Sequence, residues 1–109
     1  MSEAKMNYTQ KSWGFELVWA DQDDYSGQVL IIKQGEATPF IYHKTRNKTI
    51  FVLQGIVNLE LENRTKLLNE GEQYNIPAKI MHKIVAIKGD ATILEAGSKL
   101  VDDIVEVKR

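Results

Sequence analysis

Short apolar stretches alternate with polar ones along the whole chain, and turn residues separate them at intervals of about eight to twelve residues, the spacing of a sandwich or barrel. Runs rich in Val, Ile, Leu, Thr, Tyr and Phe predict strands over 15–20, 28–33, 38–43, 49–53, 57–62, 73–76, 81–87, 92–96 and 104–107. Breaks fall at 21–27, 35–36, 45–47, Gly55, 63–64, Gly71, 89–90 and Gly97. The seven glycines and two prolines all lie near such breaks, as an all-β chain requires. No stretch shows a 3.6-residue apolar period with caps, and 66–70 is too short to count as a helix. The pattern predicts one all-β domain over residues 1–109, with the polar residues 1–10 as a flexible arm.

Alternation also assigns faces. If His43 points inward, the two-residue period of a strand turns Ile41 inward as well. Further on, Lys48, Ile50 and Val52 share one face, while Thr49, Phe51 and Leu53 share the other. That second face is apolar too, so both sides of this strand are expected to be covered. In a barrel of this size the natural outer cover is another sheet or another subunit, which makes a homodimer the expected assembly.

Length and composition narrow the classes. A chain of 109 residues makes one domain and buries roughly 60–65% of its unfolded surface. With no cysteine, neither a disulfide framework nor a thiolate metal site can form. The opening residues carry no apolar secretory core, and no apolar run approaches a membrane span, so the cytoplasm is the expected location. The Asn-x-Thr triplets at Asn7, Asn47 and Asn63 then read as chance. A net charge of −1 gives no general attraction to nucleic acid or membrane, and no long basic stripe with stacking aromatics is present.

Two spaced frames carry the most information. Gly35, Ile41, His43, Lys48 and Gly55 form the first, and Gly71, Pro77, Lys79, His82 and Ala86 the second. They resemble the two signature motifs of the cupin superfamily, G-x5-H-x-H-x4-E-x6-G and G-x5-P-x-G-x2-H followed by a terminal asparagine. The stretch Lys11-Ser12-Trp13-Gly14-Phe15-Glu16 is similar to the opening of small cupins related to the mannose-6-phosphate isomerase domain. Tyr25-Ser26-Gly27 with the strand 29–33, Glu95-Ala96-Gly97 and Asp102-Asp103-Ile104-Val105 continue that likeness. The resemblance implies a cupin double-stranded β-helix, the jelly-roll barrel, in which three histidines and a glutamate hold a divalent metal.

This chain keeps only part of that set. Ile41 stands at the first histidine position and Lys48 at the glutamate, while Lys79 replaces a glycine and Ala86 the asparagine. Zinc, manganese and iron need three or four protein ligands with lone pairs. Isoleucine has none, and a protonated lysine repels the ion by about 4 kcal/mol per unit charge at 4 Å and an effective dielectric near 20. The expectation is therefore no metal cofactor, with His43 and His82 left as residual ligand positions.

His43 and His82 become candidate acid–base groups facing one cavity, against the plainer reading of histidines hydrogen-bonded inside a barrel. Lys48 is either an inward ammonium that polarises a ligand or a stem packed at a strand start with its head in water. Glu95, which interrupts the apolar run 91–94, either neutralises Lys48 across the barrel or lies on the wet face. Lys44, Arg46, Lys48, Lys79 and Lys83 flank the two motifs and are expected to ring the barrel mouth, against a reading as solvated turn residues; a ring would suit an anionic sugar. Tyr42 should point outward, and Trp13 and Trp19 are expected to pack. Three readings follow: a cupin that binds a polar or anionic carbohydrate-like ligand and isomerises or epimerises it without metal, a metal-dependent isomerase of the mannose-6-phosphate type, or a non-catalytic structural dimer.

Overall fold

The computed structural model describes residues 7–108, and every regular element in it is a strand. In chain order these are β1 (Asn7–Lys11), β2 (Gly14–Asp21), β3 (Ser26–Ile32), β4 (Ile41–His43), β5 (Lys48–Leu61), β6 (Thr65–Leu68), β7 (Gln73–Ile76), β8 (His82–Gly97) and β9 (Ile104–Glu106). All pairings between named strands are antiparallel.

Two long strands build the barrel. The C-terminal half of β8 pairs with β3 and with the N-terminal half of β5, whereas its N-terminal half pairs with β4 and the C-terminal half of β5. One layer therefore runs β1-β2-β3-β8-β5-β7 and the other β9-β4-β8-β5-β6. This is the expected jelly-roll arrangement, with β5 and β8 shared between layers.

The bend in β5 sits where the sequence predicts a break. Gly55 has φ +90°, and register shifts against β8 flank it at Val52/Gln54, Gln54/Ile56 and Ile56/Val57. A Cβ there would stand 2.7 Å from the carbonyl oxygen of Asp90. Glycine thus bends the strand without ending it, and the segments expected at 49–53 and 57–62 are one element. Segments 81–87 and 92–96 join likewise into β8. β1 and β6 were not expected, since Asn7–Lys11 and Thr65–Leu68 are too polar to alternate clearly. Of the predicted arm, residues 7–10 belong to β1 and pair with β2, and the rest lies outside the described residues.

Inward residues form a single core. Leu30 and Ile32 of β3, Ile50, Val52, Val57 and Leu59 of β5, and Ile84 and Ile93 of β8 are all buried. Burying each contributes roughly 1.5–3 kcal/mol relative to exposure. Lys48, Ile50 and Val52 do share the inner face, with Thr49, Phe51 and Leu53 outside. Trp13 packs in the core as expected, but Trp19 does not, being 63% exposed. A register shift between Val18 and Ala20 interrupts the alternation of β2. The Trp19 indole lies instead over Gly27, where a Cβ would fall 2.5 Å from the ring.

Candidate functional site

One end of the barrel encloses a cavity of about 290 Å³, reached by Trp13, Ile41, His43, Arg46, Lys48, His82 and Glu95 among others. The two sequence frames converge here because β4 and β8 are neighbours, with Ile41 paired directly to His82. The imidazoles of His43 and His82 lie nearly parallel, with ring centroids 6.2 Å apart.

Each ring has a fixed tautomer, because its Nδ1 meets a group that can only accept. Nδ1 of His82 donates to the carbonyl oxygen of Ile80 at 2.9 Å, and Nδ1 of His43 donates to Oδ1 of Asp103 at 2.9 Å. Nε2 is consequently the acceptor nitrogen of both rings. That of His82 is buried and has no hydrogen-bond partner among the described residues. Burial, followed by the Lys48 charge, pushes the His82 pKa down to about 4, so the ring is neutral at pH 7. Burial also lowers the His43 pKa, against the opposing pull of its bond to Asp103.

Lys48 points inward. Only 5% exposed, its Nζ donates to Oε2 of Glu95 at 3.1 Å. Glu95 is buried as well, and its Oε1 lies 3.5 Å from Nη1 of Arg46. Burial alone would raise the Glu95 pKa, but the Lys48 and Arg46 charges outweigh it and hold the carboxylate ionised. Both open choices thus resolve together: the ammonium is inside, and the glutamate balances it across the barrel. Arg46 is fixed on its other side, with Nη2 donating to Ser26 Oγ at 2.9 Å and Nε to the Ser98 carbonyl at 3.2 Å. It acts as a strut of the cavity wall.

The expected ring of five cations does not form. Lys44 and Lys79 are exposed and do not line the cavity. Lys83 alternates to the other side of β8 and borders a separate, more open groove of about 590 Å³ beside Glu60. Tyr42 does not line the cavity either. The charged residues that do are Lys11, Arg46 and Lys48 against Glu16, Glu95 and Glu106, an even balance.

Asp103 is the residue the sequence did not single out. It is buried between β8 and β9, and besides His43 its Oδ2 accepts from the Thr45 amide at 2.9 Å, the Thr45 hydroxyl at 3.1 Å and the Arg46 amide at 2.8 Å. Burial would raise its pKa, but these bonds hold it well below the usual carboxylate range. The antiparallel pairing of His43 with Ile104 brings it there across 60 residues of sequence.

As a metal site this set is a poor fit. Two imidazole nitrogens are offered, the third position is the hydrocarbon of Ile41, and the fourth is an ammonium already bound to Glu95. A divalent ion would face that positive charge, and the carboxylate beside it, Glu95, is already held by Lys48 and Arg46.

The cupin domain family matches residues 28–98, and the chain belongs to that family. KdgF from Halomonas sp. superposes with a TM-score of 0.80 at 21% identity, over 88% of this chain and 90% of that one. An uncharacterised conserved protein with a double-stranded β-helix domain from Klebsiella pneumoniae gives 0.79 at 11% identity, over 86% and 84%. The capsular polysaccharide assembling protein CapF of Staphylococcus aureus gives 0.84 at 16% identity, over 98% of this chain and 35% of that one. Identities this low establish the shared fold and leave the chemistry to the site. No curated protein matches the sequence.

Proposed function

We propose that this cupin binds a small polar, carbohydrate-like ligand carrying a carbonyl and moves a proton on it without a metal, as a sugar isomerase or epimerase. The observation that carries this reading is the buried, unpartnered Nε2 of His82 in the wall of a cavity that also holds the Lys48 ammonium. An acceptor left unmet in the interior costs about 1–3 kcal/mol, which a ligand hydroxyl would recover. Lys48 keeps donor capacity beyond its bond to Glu95 and can polarise a carbonyl, while a neutral imidazole takes the proton from the adjacent carbon. The even charge balance of the wall suits a neutral aldose or ketose, or one with a single acidic group, better than a polyanion. CapF is named for polysaccharide assembly, and that name lends carbohydrate chemistry some support on this fold. A cytoplasmic location, expected from the sequence, belongs to the same proposal.

The test is solvent exchange. Protein stripped with chelator and incubated in D2O with a panel of ketoses, aldoses and their phosphates should place deuterium beside the carbonyl of at least one compound. Lys48→Met should reduce that rate by about 10²–10³-fold, the usual cost of losing one preorganised donor. No incorporation into any panel member that raises the melting temperature would overturn the reading.

A further inference from the structure

The cavity holds two imidazoles with the same tautomer but different support, and the difference assigns their roles. Behind His82 stands the neutral carbonyl of Ile80. Behind His43 stands the ionised carboxylate of Asp103. A carbonyl orients a ring, whereas a carboxylate also stabilises the imidazolium that forms when the ring takes up a proton. From this we infer that Asp103 is a positioning residue that locks His43 in the Nδ1–H form and makes it the proton acceptor of the cavity, with His82 left as a hydrogen-bond acceptor that orients the ligand.

The inference rests on the enolisation reading for its chemistry, though not for its geometry. The C–H bond beside the ligand carbonyl breaks, its proton passes to Nε2 of His43, and the electron pair becomes the C=C bond of an enediolate. Lys48 holds the negative oxygen. The proton on His43 exchanges with solvent while the enediolate persists. In isomerisation it is delivered to the neighbouring carbon, as the second hydroxyl passes its proton to the oxygen held by Lys48 and becomes the new carbonyl. In epimerisation it is delivered to the opposite face of the original carbon after the ligand turns. No oxidant or further reactant is needed.

The hydrogen bonds around Asp103 make the lock testable. Oδ2 receives three donors, from the Thr45 amide, the Thr45 hydroxyl and the Arg46 amide, whereas Oδ1 receives only His43. In Asp103→Asn the amide NH2 cannot face three donors, so the remaining oxygen must take the Oδ2 place. The NH2 is then forced toward Nδ1 of His43 and donates to it. His43 must move its proton to Nε2, and the cavity meets a donor where it had an acceptor.

Long-range 15N–1H spectra of the ligand-free protein read both tautomers directly. In the native protein His43 and His82 should both show a protonated Nδ1. In Asp103→Asn, His43 should switch to a protonated Nε2 while His82 keeps its form, a change that a merely structural residue would not produce. A native His43 protonated at Nε2, or a variant with an unchanged His43 signature, would overturn the inference. The native spectrum alone suffices for this if the variant does not fold. With any compound that exchanges in D2O, the variant should lose about 10²–10⁴-fold in rate, the range for general base catalysis; an undiminished rate would also overturn it. The expected tautomers in a protein that exchanges nothing would sink the enolisation reading and leave the lock standing.

Discussion

His82 carries two constraints at once, since its ring is buried and the Lys48 charge faces it. Its folded pKa of about 4 lies below the ordinary 6.5, so the unfolded chain binds a proton that the folded one refuses. The resulting stability is fully present above pH 6.5 and is lost as pH falls toward 4, by about 3 kcal/mol for a shift of this size. His43, shifted in the same direction, adds to the loss. Asp103 and Glu95 are both shifted down and add acid sensitivity at lower pH still, below their unfolded pKa values. Urea unfolding at pH 7.0 and 4.5 should show a much smaller drop in His82→Gln than in the native protein. Equal drops would mean that the imidazole is protonated within the fold.

Local backbone choices matter at the scale of single elements. The turn between β7 and β8 closes with the Ile80 amide donating to the Pro77 carbonyl at 3.3 Å, and its third residue, Lys79, has φ +73°. This is the geometry of a type II turn, whose third position favours glycine. Lys79 occupies the place where the cupin motif has that glycine, so the chain holds a left-handed lysine at a cost of about 1–2 kcal/mol. Lys79→Gly should stabilise the protein by up to about 1 kcal/mol, after the greater freedom of glycine in the unfolded chain is set against the relieved strain. A fall in the urea midpoint would mean that the lysine side chain contributes more than its backbone loses. The same elements explain how far the sequence could be read. Alternation located the inner strands because one face of each meets the core, and the motif spacing located His43, His82 and Lys48. Gly55 misled because a bend and a break share the same residue type. Trp19 misled because a bulge flips the alternation that sequence reading assumes. Asp103 was illegible for another reason: its role depends on the pairing of β4 with β9, which no local pattern encodes.

The whole molecule leaves one surface unexplained by its own core. Strand registers align Tyr8, Leu17, Val29, Leu94 and Phe51 as direct neighbours across five strands on the outer side of the larger layer. Phe15 and Ile31 form a second paired row beside them, and the Tyr8 and Phe15 rings lie 4.8 Å apart. Tyr8 is exposed and the other six are half-buried, so the seven make two adjoining apolar rows rather than the scattered apolar exposure normal for a surface. The rows carry no charge, so a partner must offer a matching uncharged face, and a second copy of this chain offers one by symmetry. We propose a twofold homodimer joined through these rows, which leaves the cavity, on the inner side of the same layer, free in both copies. Light scattering after gel filtration should give twice the chain mass. Val29→Glu, at the centre of the longer row, should give the monomer, because two carboxylates would then be buried against each other or against hydrocarbon. The circular dichroism of that monomer should remain that of a β protein, since Val29 points away from the core. A native protein that runs as a monomer at 100 µM would refute the dimer and leave the apolar face for a different partner.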